Sequence, residues 1–486
     1  MKKNRCTSSY NLVSDYKAKK LEKEDKKVGR VYIPDGYSFD DKQKYFLYAI
    51  YNNRLFKYKN NDSDFIPINA EILKSIIGRY NDTIISLKKL NIIERDNHYI
   101  PGVTSRGYRF SKYFKFKVDY IKDVHILTKI KKWKKNYEPK EAHLKFLKRN
   151  LYNVSVNMNT AMQIINEIDY NSILKSKQNR KRTKSGKKKI YSSKEELMQD
   201  YYISIKLLSD KDFRFVEDKT SGRIHSNISS LKRELRKSIH FKGKPLYELD
   251  CANSQNFLFN AFIKRFFEEN SAAKIFGFLN PDSFVFSTPD SYFNDTINEI
   301  KYIQHNINHI LPYPERYLNK SLNNNDLDKN IYLNYLRDIL LYIHLTCKGK
   351  YWKFLMEKDN FDGDKGEYKK LSFGKVFFCR IHKNYKYAER KTFETHFKNV
   401  AKIIDYYKSE DYKSLSINMQ KEEVDIVIHK IVKRIYNEHP KMFILTNHDA
   451  IYCTKEHIEY VMNVMLDEYF KKYNFTPTIK ISPPLE

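Results

Sequence analysis

Between Pro245 and Phe257 the chain reads PLYELDCANSQNF, an apolar, strand-like run that ends in a carboxylate, Asp250. Small and amide side chains follow at once. A carboxylate at the end of a buried strand costs on the order of several kcal/mol unless it is paired, hydrogen-bonded or metal-bound. The stretch therefore asks for a strand, a tight turn and a helix, with a partner for Asp250. Two partners suit the residues: a metal ion, or the backbone amides of a helix starting near Asn253, which Asp250 would cap.

A chain of 486 residues has room for roughly two to four domains and at least one large core. It has no hydrophobic run of membrane-spanning length, and its start, MKKNRCTSSYNL, shows no apolar signal segment. Five cysteines (Cys6, Cys251, Cys347, Cys379 and Cys453) stand without a CxxC pair. Their scatter argues against a zinc site and a disulfide framework, and for a reducing, cytoplasmic setting. The formal net charge is +31, from 90 Lys and Arg against 59 Asp and Glu. Such an excess points to a polyanionic partner, nucleic acid first. A membrane surface is disfavoured, because no amphipathic helix with a strongly apolar face is visible.

Residues 1–35 are polar and Lys-rich and read as a basic flexible arm. Over 36–120 the pattern predicts a helix Ala70–Ile77, a turn at Gly78, a helix Asn81–Leu90, and strands Asn91–Arg95 and Tyr99–Phe110. That is the order of a winged helix-turn-helix, and equally of a helix pair and hairpin used only for packing. Ile84, Leu87 and Leu90 mark one side of the second helix; Lys88 and Lys89, the candidate DNA contacts, mark another. Residues 121–210 are mainly helical and basic, interrupted by the run Lys175–Lys189, which serves either as a solvated loop or as a DNA clamp. From 211 to 486 helices and short strands mix, which makes the class α+β.

Three further stretches carry chemistry. Phe443–Thr454 places Thr446-Asn447-His448-Asp449 between apolar flanks, which predicts a β-hairpin with Asp449 at its tip. The tip is either an ordinary polar turn or a second carboxylate for a two-metal site, whose ions are bridged by acidic oxygens from separate elements. In DKGEYKKLSFGKVFF, Lys365, Lys369, Phe373 and Phe377 recur every four residues and share one helix face. Ammonium groups beside rings suit a triphosphate and its base; a plain amphipathic helix gives the same spacing. Finally, TSGRIHSNISSLKRELR predicts a loop carrying Arg223 ahead of a basic helix with Lys232, Arg233 and Arg236.

Taken in order, these stretches resemble the family A, DNA polymerase I-like nucleotidyltransferases. SGRIHS resembles the TGRLSS segment upstream of motif A, ELDCANSQ resembles motif A, KGEYKKLSFG matches the basic-x3-Lys-x3-Phe-Gly pattern of motif B, and NHDAIY resembles the His-Asp hairpin of motif C. The resemblance covers about residues 200–486 and implies a right-hand palm and fingers at 211–486, with 121–210 as a thumb-like region. It implies that Asp250 and Asp449 bind two Mg²⁺ ions (Mn²⁺ as a substitute), with the Cys251 backbone carbonyl nearby. Lys369 would contact the incoming triphosphate and act as general acid, Lys365 would stand where the family has Arg, and Phe373 would stack on the new base pair. Arg223 and His448 would lie near the primer end.

The departures concern sugar choice. Motif A of the DNA polymerases continues to a Glu that excludes ribose, where this chain has Gln255, or Phe257 if two residues are inserted. Motif C lacks its following Glu and has Ala450, as the related single-subunit RNA polymerases also lack it. A long gap between the second and third stretches implies an insertion around 265–350. No acidic exonuclease motif precedes the palm, so no proofreading is expected. The expectation is a DNA polymerase acting on primer–template DNA and nucleoside triphosphates in the replication of a phage or mobile element. The alternatives are a primase or RNA polymerase using ribonucleotides, and a catalytically inactive DNA-binding initiator.

Overall fold

The computed structural model describes residues 29–56, 65–96, 105–112, 114–133, 138–173, 194–270, 278, 326–380 and 387–484. Residues 1–28 of the arm, the basic run Lys175–Lys189 and much of the expected insertion lie outside them. The chain divides into two compact units, one of Met1–Glu138, Val154–Val216 and Ser226–Lys242, the other of Pro139–Asn153, Glu217–His225 and Gly243–Glu486.

The first unit runs β1 (Arg30–Pro34), α1 (Asp41–Phe56), β2 (Ile66–Pro67), α2 (Ala70–Ile77), α3 (Tyr80–Lys89), β3 (Ile93–Arg95), β4 (Gly107–Phe110) and β5 (Phe116–Tyr120). Residues 30–34, expected in the arm, are instead a strand: β1 pairs antiparallel with β5 and buries Val31, Tyr32 and Ile33. Strands β2, β4 and β3 form a sheet in that order. Asn69 starts α2 by accepting from the amides of Glu71 and Ile72 at 2.8 and 3.1 Å, and Gly78, at φ 69°, ends it. On α3, Thr83, Ile84 and Leu87 are buried while Lys88 and Lys89 are exposed. Leu90, expected on the buried side, is 44% exposed because the chain leaves the helix there.

The basic stretch after Ser226 is not the single helix expected. Ser226 and Ser229 close a capping box over one turn, Asn227–Ser230. Leu231 then extends, and Glu234–Ser238 forms a 3₁₀ turn, so that Leu231 and Leu235 both reach the core. Lys232 lies 4.0 Å from Glu234 and its ammonium sits 6.0 Å from the Tyr201 ring centre; Arg236 Nε donates to the Leu231 carbonyl at 3.4 Å.

The second unit includes α4 (Ala142–Tyr152), although the sequence alone groups that helix with 121–210. It continues with β6 (Tyr247–Cys251), α5 (Ser254–Glu269), α6 (Asp326–Cys347), α7 (Lys365–Val376), α8 (Lys398–Lys408), α9 (Ser414–Val424), a π-helix Asp425–Val432, β7 (Ile444–Asn447), β8 (Ala450–Cys453), α10 (Ile458–Tyr473) and β9 (Ile479–Ser482). Its sheet has the order β7-β8-β6-β9, every pair antiparallel. Strand β6 is central because Leu249 and Cys251 are buried on one face, while Glu248 and Asp250 point to the other. Phe257, one of the two sugar-gate positions considered, is fully buried against Tyr469, Tyr473 and Phe475 and belongs to the core.

Two contacts hold the frame around β6. Gly349, at φ 68°, lets the loop after α6 approach the β6–α5 turn, where an added Cβ would stand 3.0 Å from that of Ala252. On α6 the buried carboxylate of Asp338 accepts from the amides of Asn399 and Val400 at 2.6 and 3.4 Å, fixing the start of α8.

Candidate active site

Asp250 occupies the end of β6, opposite Ala450 on β8 and Lys480 on β9. Asn447 pairs with Ala450, so His448 and Asp449 make a two-residue hairpin turn, with His448 in the left-handed region at φ 58°. The turn thus brings Asp449 beside the strand that faces Asp250. The N-cap of α5 is Asn253, at φ 59°, three residues beyond Asp250. Burial, then the charges of Asp250 and of Glu423 on α9, push the Asp449 carboxyl well above its usual range. The Cys251 thiol is buried and raised in turn by burial and by the same three carboxylates. These charges act on one another at close quarters.

Helix α7 supplies the opposite sign. Asp364 caps it by accepting from the Glu367 amide at 2.9 Å, and Lys365 and Lys369 follow one turn apart. Burial lowers the Lys369 pKa first, then Lys365 and Lys480 lower it further, while Asp250 and Asp449 oppose the shift. Lys365 is lowered by burial and by Lys480. Lys480 was absent from the expected set. Directly opposite residues of an antiparallel pair share a face, so its pairing with Asp250 is the only signal, and a sequence does not display pairing. Phe373, one turn beyond Lys369, is half-buried against Trp352, Phe377 and Phe378 at ring distances of 5.0, 5.6 and 5.5 Å.

A third carboxylate stands behind the first two. Glu423, with 3% of its side chain exposed, accepts from Arg223 Nε and Nη2 at 2.9 and 2.8 Å and takes a further hydrogen bond from Gln255 Nε2. Gly222, at φ 75°, turns the preceding loop so that Arg223 reaches it. Burial raises the Glu423 carboxyl and Arg223 opposes the shift. Arg223, expected near a primer end, makes its ion pair with Glu423. His448 has its ring 6.0 Å from that of His225. Lys88, Lys89, Lys232, Arg233 and Arg236 belong to the first unit.

The donor set fits divalent ions. Carboxylates from a strand end and a hairpin turn act on one another, and burial with their repulsion raises Asp449. Two buried oxygens nearby, Asn447 Oδ1 and Gln255 Oε1, lack a hydrogen-bond partner among the described residues, which is the kind of atom a hydrated ion satisfies.

No family model matches the sequence, and no curated protein matches it. Among solved structures, the POL domain of Pol1 from M. smegmatis, in complex with DNA primer-template and dNTP, is similar over 70% of this chain and 69% of that one, at 11% identity and a TM-score of 0.28. A score that low carries neither residue roles nor activity across. Among the described residues no helix is long and apolar enough to cross a membrane.

Proposed function

We propose that this chain is a DNA-templated nucleotidyltransferase, a family A-like DNA polymerase that extends a 3′ end with nucleoside triphosphates. The observation that supports it is the meeting of Asp250 and Asp449 with Lys365, Lys369 and Lys480 at one end of one sheet. Asp250 and Asp449, with the Cys251 carbonyl, would hold two Mg²⁺ ions. When bound, such ions acidify the attacking hydroxyl and hold the triphosphate. The three lysines bind phosphate oxygens as point charges. Lys369, its pKa lowered by burial and its lysine neighbours, gives its proton to the leaving pyrophosphate. Phe373 offers its ring to the new base pair, and Glu423 holds Gln255 and Arg223 in place around the carboxylates.

The order α1, β2, α2, α3, β3, β4, with β4 central in its sheet, supports reading the first unit as a winged helix that places exposed Lys88 and Lys89 on DNA. A ribonucleotide-using enzyme is the second reading. Gln255, standing where the ribose-excluding Glu is expected, favours it.

The test is extension of a labelled primer–template with Mg²⁺, with dNTPs and with rNTPs, beside Asp250→Asn and Asp449→Asn. Extension by the wild type alone is expected, and the preferred sugar decides between the two readings. Failure with both sugars, despite tight DNA binding, would sink the proposal and leave an initiator.

A further inference from the structure

Away from the lysine and carboxylate cluster, the second unit brings together three groups from two distant stretches of sequence. Glu141 and His143 stand at the start of α4, and His429 lies in the π-helix, 286 residues beyond His143. We propose that Glu141, His143 and His429 form a site for one divalent transition ion of the Zn²⁺ class, which staples α4 to the π-helix.

The geometry decides for an ion over an ordinary hydrogen-bonded trio. His143 Nε2 is 3.3 Å from His429 Nδ1, and Glu141 Oε2 is 3.4 Å from the first and 3.6 Å from the second. An imidazole–imidazole hydrogen bond would account for one edge only. The carboxylate oxygen would then sit nearly equidistant from both nitrogens, beyond the usual range of a hydrogen bond to either. A tetrahedral ion with bonds of about 2.0–2.1 Å separates its ligands by about 3.3–3.4 Å. Right-angled bonds of about 2.1 Å would separate them by about 3.0 Å. In a tetrahedron the ligand separation is about 1.63 bond lengths, so the mean edge of these three atoms corresponds to a bond of about 2.1 Å, a zinc–ligand distance.

The surroundings agree. Glu141 holds the N-cap position of α4 without making a capping bond, so its carboxylate is not spent on the helix. His143 is buried, so its ring is held in place beside the other two groups. Glu141 and His429 are 52% and 37% exposed at the side chain, which leaves an entry path and room for water as a fourth ligand. Single turns of π-helix recur at functional sites. Helix α4 also grips the chain entering β7, Asn150 Nδ2 donating to the carbonyls of Met442 and Ile444 at 3.2 and 3.1 Å. The staple therefore braces the hairpin that carries Asp449. The absence of a CxxC pair excludes a thiolate zinc site of that kind and leaves one of imidazole and carboxylate open.

The test uses the full chain, stripped with chelator and held in excess Mg²⁺, titrated with Co²⁺ as a spectroscopic probe and then with Zn²⁺ in competition. One equivalent of Co²⁺ with the intense visible bands of a tetrahedral site is expected, displaced by Zn²⁺. His429→Ala, at a part-exposed position, and Glu141→Gln are expected to weaken Zn²⁺ binding by more than about 100-fold, whereas Asp250→Asn/Asp449→Asn keeps the equivalent. Weak octahedral bands, no stoichiometric uptake, or binding unchanged in His429→Ala and Glu141→Gln would each overturn the assignment.

Discussion

Replacing Arg223 by Met tests whether Glu423 is a buried charge held by a single cation. The two hydrogen bonds at 2.9 and 2.8 Å join an arginine 20% exposed to a glutamate 3% exposed. Hydrogen bonds to charged groups contribute about 1.5–3 kcal/mol each, and breaking one side of a buried pair costs about 3–5 kcal/mol. Arg223→Met is therefore expected to lower the stability of the second unit by about 3–5 kcal/mol near pH 7. Trp352, fully buried in that unit, reports its unfolding in urea once Trp133, the other of two tryptophans, is changed to Phe. Glu423 already titrates above its usual range, and losing Arg223 raises it further. A carboxyl raised in the folded state is stabilising below its unfolded pKa, and that stability is lost as pH rises through the folded one. The penalty should therefore shrink on acidification. Arg223→Met/Glu423→Leu should recover most of the loss. A penalty under about 1 kcal/mol at pH 7, or one indifferent to pH, would refute the buried-charge argument.

Three other outcomes follow from the same electrostatics. Lys480→Ala should raise the KM for nucleoside triphosphate about tenfold, one lost charge-assisted contact, with kcat little changed; an unchanged KM would remove Lys480 from the phosphate site. The pH–rate profile should fall early on its alkaline side, because Lys369, lowered by burial and its lysine neighbours, must keep its proton there. Lys369→Arg should flatten the alkaline limb, and a limb that persists there belongs to another group. Asp338, pushed up to about 6 by burial against its backbone hydrogen bonds, contributes stability below its unfolded pKa of 3.8 that is lost between there and pH 6. Against Asp338→Asn, wild-type urea unfolding should therefore lose about 3 kcal/mol over that window, and a constant difference would exclude the titration.

What could be read from the sequence was whatever is local. Helix α2, the turn at Gly78 and the hairpin around Asp449 follow from period, capping and turn chemistry within a few residues. Asp250, Asp449, Lys365 and Lys369 carry their chemistry in their own stretches, and the fold brings them together. Glu423 and Lys480 were missed for one reason. Each matters only through a partner that the fold supplies, Arg223 across 200 residues and Asp250 across a strand pair. The basic helix after Ser226 failed differently: its lysines and arginines were counted, but the buried Leu231 and Leu235 decide where the backbone goes. Residues 30–34 were lost to a neighbourhood of lysines, although Val31, Tyr32 and Ile33 are strand formers with a core to enter.

The excess of positive charge becomes informative only where it is placed. At the end of β6 two carboxylates and three ammonium groups share one small volume, and burial is the largest cause of the shift in both Asp449 and Lys369. Asp449 and Lys369 are each held in a medium that disfavours their own charge. A divalent cation beside the carboxylates and a polyphosphate beside the lysines each relieve one half. An anion alone leaves the carboxylate repulsion in place, and a cation alone leaves the lysines crowded. The site is complementary to the pair, so metal and triphosphate should tighten each other's binding by the same factor. A protein evolved only to grip a DNA backbone gains nothing by burying acids among its lysines, which is why the arrangement speaks for chemistry on a metal-bound triphosphate.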